Sequence, residues 1–279
     1  MPDEWQAPHS VGRALELARR FAVDAADARL LLQHVLALTH AQLIARPERL
    51  VPAADAEHYV QLLRRRAAGE PLAYITGRRE FYGLDLVVSP DVLIPRPETE
   101  LLVEIAISAL AALPSPQILD AGTGSGAIAI ALGRALPKAR VTAIDRSAAA
   151  LAVARKNAAR HGVAVEFLQS DWFAALAGRR FDAILANPPY VALADPHLAG
   201  EIRFEPQSAL VSGVDGLDAL RQIIAGAPQH LNAGAMLWVE HGFDQAPAVS
   251  NLFRAAGYSA ITTSRDLAGL PRVSGAKLA

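Results

Sequence analysis

The stretch from residue 117 to residue 186 sets the strongest limit on the fold. Short apolar runs at 117–120, 140–145, 163–169 and 181–186 alternate with helical patterns that extend to about Leu136 and begin again at Ser147. Strands separated in this way pair side by side in one direction, and right-handed crossovers put helices on both faces of the sheet. Residues 235–240 read as a fifth strand, and 258–263 with 272–278 as a terminal antiparallel pair. An α/β protein built on a mostly parallel sheet is therefore expected. Its first strand ends Ile118-Leu119-Asp120 and runs into Ala121-Gly122-Thr123-Gly124-Ser125-Gly126-Ala127. That glycine-rich turn falls at the carboxyl edge, where open α/β sheets bind ligands.

Upstream, apolar residues fall at helical spacing from residue 10 to about 70, as in Leu15, Leu17 and Phe21, then Leu31, Val35 and Leu36. No strand pattern interrupts them. Asp24, the Thr39 and Gln42 pair of a capping box, and Pro52 ahead of residues 53–66 mark helix starts, while Gly69 and Pro71 supply a stop. Arg64, Arg65 and Arg66 read as a solvated helix face. Around Gly83 and Asp85, the residues Phe81, Tyr82, Leu84, Leu86 and Val88 suggest a short hairpin. Three segments are expected: a small all-helical domain at 1–76, a hairpin linker at 77–96, and the sheet domain at 97–279.

The formal charge of -1 supplies no basic field that would concentrate the chain on nucleic acid. Cysteine is absent, so disulfides and thiolate metal sites are excluded, and no metal is expected. The start, MPDEWQAPHS, is acidic and polar, and no charge-free apolar run reaches the roughly 18 residues of a membrane span. A cytoplasmic protein without membrane contact is expected.

Read alone, the glycine turn is ambiguous, since with Ala127 in the last place it also satisfies the loose dinucleotide pattern. Asp145, at the end of the second strand, suits the two ribose hydroxyls of an adenosine, a role nicotinamide cofactors would share. Ser147 can cap the following helix itself. Ser170-Asp171-Trp172 follows the third strand and offers a polar group and an aromatic face for an adenine, although Trp172 would serve equally as a core anchor. After the fourth strand comes Asn187-Pro188-Pro189-Tyr190. Two prolines fix a backbone whose carbonyls are spared from helix or ladder, Asn187 adds a side-chain acceptor, and Tyr190 adds a flat ring. Such a site suits a planar NH2 group and gives an oxidoreductase nothing it needs.

Taken in this order, the glycine turn, Asp145, Asp171-Trp172 and Asn187-Pro188-Pro189-Tyr190 resemble a class I methyltransferase with an amino-group target. Glu80-Phe81-Tyr82, the run from Ile94-Pro95-Arg96 through Pro97-Glu98-Thr99-Glu100, and Arg203-Phe204-Glu205-Pro206 extend the likeness over nearly the whole chain to the release factor glutamine methyltransferases. The resemblance implies a Rossmann-like, seven-stranded catalytic domain behind a helical substrate-recognition domain. It implies S-adenosyl-L-methionine as cofactor, S-adenosyl-L-homocysteine as product, and the glutamine of a Gly-Gly-Gln loop in bacterial peptide chain release factors as target. Gly122, Thr123, Gly124, Ser125, Gly126, Asp145, Asp171, Trp172 and Asn187 would meet the cofactor. Asn187, Pro188, Pro189 and Tyr190 would hold the glutamine, with Asn187, Pro188 and Tyr190 taking part in catalysis. A monomer is expected. The alternative is a methyltransferase of the adenine amine in DNA or RNA, disfavoured by the missing basic stripe. The run from Arg96 to Glu100 reads as a favourable helix start, and His241 is left without a role.

Overall fold

A computed structural model describes residues 9–278. The polar start at 1–8 and the last residue, 279, lie outside the described residues. The chain divides into two compact units, one formed by the chain up to Gly77 together with Ala199–Phe204, the other by Arg78–Leu198 and the chain from Glu205 onward.

The first unit contains β1 (His9–Ser10), α1 (Val11–Arg20), α2 (Ala25–Leu36), α3 (His40–Ala45), β2 (Leu50–Val51), α4 (Ala53–Ala67) and α5 (Leu72–Thr76). The expected caps are in place. Asp24 accepts the Ala26 N–H, and Thr39 and Gln42 form a reciprocal capping box. Leu31, Leu32, Leu43, Tyr59 and Leu63 fill the core, where the Tyr59 hydroxyl donates to the Ala28 carbonyl at 3.1 Å. Two expectations need correction. The unit is not wholly helical, because β1 and β2 pair antiparallel over two residues each, too short a ladder to leave an alternating pattern in the sequence. Nor is Arg66 a solvated residue: it bonds Asp27 at 2.6 Å and also pairs with Glu201. With Arg203, which donates to the Ala68 carbonyl at 2.8 Å, it holds the segment 199–204 in this unit.

The second unit opens with a hairpin, β3 (Arg78–Phe81) and β4 (Leu84–Val87), whose two-residue turn has positive φ at both Tyr82 (51°) and Gly83 (71°), as the twist of a tight hairpin requires. Phe81, Leu84 and Leu86 are buried in the same core as α6 and α7 (Glu100–Leu110 and Ala127–Ala135), so the hairpin is part of this unit's interior. The sheet strands are β5 (Gln117–Ala121), β6 (Arg140–Asp145), β7 (Val165–Gln169), β8 (Phe181–Ala186), β9 (Leu231–Glu240), β10 (Tyr258–Arg265) and β11 (Pro271–Leu278). Helices α8 (Ala148–His161), α9 (Asp218–Gly226) and α10 (Ala246–Ala255) complete the layers. Strand β9 begins earlier than its apolar run because Asn232 and Gly234 break the pattern at a register shift.

The seven strands lie in the order β10-β11-β9-β8-β5-β6-β7. The chain builds outward from β5 through β6 to β7, then crosses to the other side of β5 to lay down β8. Such a reversal of strand order opens a crevice at the carboxyl ends. Both faces are covered, so adjacent residues of one strand enter different cores: Ile118 packs with Ala129 and Leu132, Leu119 with Ile184 and Ile223.

Asn157 on α8 is fully buried and binds two loops at once. Its Oδ1 accepts the Val87 N–H at 2.7 Å, and its Nδ2 donates to the carbonyls of Val87 and Ser125, each at 2.9 Å. Asn157→Ala would strand those backbone groups, and urea unfolding is expected to show a loss of about 2–4 kcal/mol.

Candidate active site

The glycine turn is tied to β6 before it meets any ligand. The N–H groups of Gly122 and Thr123 both donate to the Ile144 carbonyl at 2.9 Å. Gly122, at φ 85°, presents its bare Cα toward Trp172, whose ring lies 3.5 Å from where a Cβ would stand. Beneath the turn Asp120 is fully buried: its Oδ2 accepts from the Thr123 hydroxyl at 2.6 Å and from the Ala129 N–H at 3.2 Å, while Oδ1 has no partner among the described residues. Burial pushes this carboxyl up to about 7, with the charge of Asp145 adding to the effect.

Asp145 ends β6 with its carboxylate turned back on the turn. Oδ2 accepts the Gly124 N–H at 2.9 Å and Oδ1 the Ser147 N–H at 2.8 Å. Ser147 caps α8 through the Ala150 N–H, so Asp145 is not needed as the cap. Each of its oxygens keeps lone-pair capacity for a hydroxyl. After β7, the Ser170 hydroxyl donates to the Trp172 carbonyl at 2.6 Å and accepts the Ala175 N–H, forming a tight turn in which Trp172 sits at φ 43°. Trp172 both packs against the core and borders the cavity, so its two sequence readings hold together.

A cavity of about 310 Å³ runs along this edge. Gly122, Thr123, Gly124, Ser125, Asp145, Asp171, Trp172, Asn187, Pro188 and Pro189 all line it. Two expected residues do not. Gly126, at φ 84°, faces the seam of α7 and α8, where a Cβ would stand 3.0 Å from Ile130 of α7 and 3.2 Å from Ala154 of α8. The Tyr190 ring packs on the core, its hydroxyl donates to Glu240 Oε1 at 3.3 Å, and its carbonyl accepts from Gln245 at 2.9 Å. Burial and the neighbouring carboxylate push the Tyr190 phenol up, so it stays protonated.

Asn187 supplies the distinctive group. Its Nδ2 donates to the Thr99 hydroxyl at 3.0 Å, whereas its Oδ1 is buried without a partner among the described residues. Among the described residues no backbone N–H donates to the Pro188 carbonyl. Two acceptors from consecutive residues thus have no protein donor among the described residues where the motif borders the cavity. Sequence reasoning missed the residues behind them. Thr99 belongs to the run taken for a helix start, a reading that Pro97 and Glu98 in the first turn still satisfy. Glu240, 1% exposed, is pushed up to about 7 by burial, against the hydroxyls of Thr99 and Tyr190 and the charge of Arg272. The other wall rests on buried Glu205, which accepts the Ile94 N–H at 2.9 Å and pairs with Arg96. His241 is structural: its ring nitrogens contact the Gly242 carbonyl and Ser274 hydroxyl, both at 2.8 Å.

Two family models match the chain, "PrmC N-terminal domain" over residues 13–77 and "Methyltransferase small domain" over residues 98–213. A relative from Burkholderia pseudomallei, a release factor glutamine methyltransferase, is 52% identical over 277 residues, covering 96% of this chain and 97% of its own. The enzyme of the same name from Bordetella pertussis is 50% identical over 254 residues, covering 90% and 94%. Among solved structures, a methyltransferase from Pyrococcus furiosus shares the fold, with a TM-score of 0.53 at 19% identity over 76% of this chain and 95% of that one.

The two buried carboxyls make stability depend on pH in a defined direction. Asp120 and Glu240 titrate near 7 when folded, against ordinary values of 3.8 and 4.5. The folded state therefore keeps protons that the unfolded chain releases. Their stabilising contribution is complete at acid pH and is lost as pH rises toward about 7, by up to about 1.4 kcal/mol per pH unit for each group. Urea unfolding at pH 5 and pH 8 should show the loss, and Asp120→Asn should remove its share of the difference.

Proposed function

Because the chain belongs to the release factor glutamine methyltransferases, we propose that its cavity binds S-adenosyl-L-methionine and that Asn187 and the Pro188 carbonyl hold the glutamine amide for transfer. The reaction is methylation of a release factor glutamine on its side-chain nitrogen. The target is the glutamine of the Gly-Gly-Gln loop, and the partner is the release factor itself, met in the cytoplasm by a single copy of the chain. The helical unit is assigned to gripping that macromolecule.

The lining residues fit the cofactor. Side-chain-free backbone at Gly122 and Gly124 permits close approach, Asp145 retains acceptor capacity for the ribose hydroxyls, and Trp172 with Asp171 borders the space for an adenine. When bound, S-adenosyl-L-methionine supplies an electrophilic sulfonium methyl and leaves as S-adenosyl-L-homocysteine.

The observation that carries the reading is the buried, unpartnered Oδ1 of Asn187. An acceptor in that state costs free energy unless a ligand donates to it. A glutamine amide carries two N–H hydrogens, one for Asn187 Oδ1 and one for the Pro188 carbonyl. Amide nitrogen is a poor nucleophile because its lone pair is delocalised into the carbonyl. Holding both hydrogens aims that lone pair out of the amide plane and stabilises the positive charge that grows on nitrogen. The methylated amide is then cationic and strongly acidic, so its proton passes to water without a dedicated base. Tyr190 supports this arrangement through its ring and carbonyl and does not touch the cavity.

Asn187→Ala should slow single-turnover methylation of a release factor about 100-fold, the worth of about 3 kcal/mol of transition-state stabilisation, with a smaller effect on cofactor affinity. A rate within about twofold of wild type would remove Asn187 from catalysis. Asp145→Ala should weaken S-adenosyl-L-methionine binding by about 1.5–3 kcal/mol in calorimetry, since charge-assisted bonds are lost and the turn loses its Gly124 anchor.

A further inference from the structure

The carboxyl edge of the sheet has two halves. Along the strand ends the cavity takes the loops after β5, β6 and β7, and Asn187 after β8 closes the row. The other half consists of the chain beyond Asn187, the loop after β9 and the turn between β10 and β11. That turn reaches the same edge because β11 runs antiparallel to β9, with Val273 opposite Glu240. Among the described residues of the sheet unit, six large apolar side chains are exposed. Leu113 is at the opposite edge, ahead of β5. The other five are Leu193, Val214, Phe243, Leu267 and Leu270, all on the half that the cavity leaves free. Scattered apolar residues are ordinary on a surface, but a cluster confined to one edge marks a place of contact.

The loops that carry these side chains are fixed, and they are tied to the catalytic motif. Leu193 donates its N–H to the Gly213 carbonyl at 2.9 Å, which sets the segment after Tyr190 beside the one that bears Val214. Gln245 joins both to the loop after β9. Its Nε2 donates to the Tyr190 carbonyl at 2.9 Å and reaches the Asp215 carbonyl at 3.5 Å, while its Oε1 accepts the Gly242 N–H at 2.9 Å. Phe243 follows, with the Arg272 guanidinium 5.9 Å from its ring centre. Arg272 in turn donates to Asp266 at 2.9 Å, and Asp266 accepts the N–H groups of Ala268 and Leu270, closing the turn that holds Leu267 in solvent. Bonded loops thus present an apolar rim that begins three residues beyond Tyr190.

Resting on the reading of the cavity as the glutamine site, we propose that this rim docks the release factor, covering an apolar face of that protein beside its glutamine loop. The occupant follows from position and from need. The reacting group is a side chain of a folded protein, so that protein's surface comes down on the edge where the side chain enters. Asn187 and Pro188 offer only two acceptors to an amide that every glutamine carries. Choosing one glutamine among many therefore requires contact outside the cavity, and buried apolar anchors supply most of the binding energy at such surfaces.

The test measures steady-state methylation of an intact release factor by the full-length chain carrying Val214→Glu, Leu267→Glu, both together, Leu113→Glu or Asn187→Ala. Thermal unfolding, sedimentation velocity and calorimetric affinity for S-adenosyl-L-homocysteine accompany it. Val214 is 86% exposed and Leu267 fully so, hence glutamate at either position leaves the folded chain intact but would be buried on docking. The double substitution should raise KM for the release factor about tenfold or more, with kcat and S-adenosyl-L-homocysteine affinity changed less than about twofold. Leu113→Glu should behave as wild type. A KM within about twofold of wild type in the double variant overturns the inference. An equal rise in Leu113→Glu also overturns it, since added negative charge alone would then explain the effect. A dimer that the double substitution dissociates with KM unchanged gives the face to a second copy and overturns it as well. Should the glutamates lower the melting temperature to that of the assay, serine at both positions is held to the same KM outcomes. Asn187→Ala reads the parent proposal separately: an undiminished kcat removes Asn187 from catalysis whatever the rim variants show, whereas a slow Asn187→Ala beside an unmoved KM in the double variant strikes the docking rim alone.

Discussion

Backbone hydrogen bonds between β5 and β8, in the register Asp120↔Leu185, bring the ends of two strands distant in sequence to one edge of the sheet. The glycine turn leaves the first of these strands and the Asn187 motif leaves the second. Neither segment makes a site alone. A turn built for close approach needs something to react beside it, and a pair of free acceptors needs a donor delivered to them. The strand order supplies the meeting, since an order that reverses at β5 leaves the carboxyl edge open between β5 and β8. Every other polar contact of the site refines a juxtaposition that the ladder has already made.

Much of this was legible in the residues because the informative types act on their own backbone. Glycines at Gly122 and Gly124 and prolines at Pro188 and Pro189 announce unusual main chain wherever they stand, and strands covered on both faces appear as continuous apolar runs. The partners of buried polar groups carry no such mark. Thr99 and Asn187 are 88 residues apart, and nothing in a run resembling a helix start tells that one hydroxyl will serve a distant amide. Asn157, in mid-helix, carries no sign in the sequence of its bonds to Val87 and Ser125. Gly126 and Tyr190 were misplaced for the opposite reason. Their motifs identified the neighbourhood correctly, but each residue turns toward the interior, one to let two helices approach and the other to reach Glu240.

The walls of the cavity differ in what holds them. On the sheet side the turn is fixed by the Ile144 carbonyl, Asp120 and Asp145, all within or beside the strands. On the opposite side, residues 90–95 contribute lining from irregular chain and 206–209 from a single 3-10 turn, and their common anchor is Glu205. A carboxylate this buried is tolerated only while both its partners remain, since removing one leaves an uncompensated charge. The wall therefore keeps its place through one charged cluster, where the turn has many small bonds.

The discontinuity of the helical unit bears on how such a protein can be recombined. Residues 199–204 leave the sheet unit between the Asn187 motif and Glu205, and Arg66 and Arg203 tie them to α4 and its end. A graft of the amino-terminal segment alone from one relative to another would pair a foreign α4 with the resident 199–204. The inheritable module has two pieces, and exchange between lineages requires three compatible junctions where a simple terminal domain would need one.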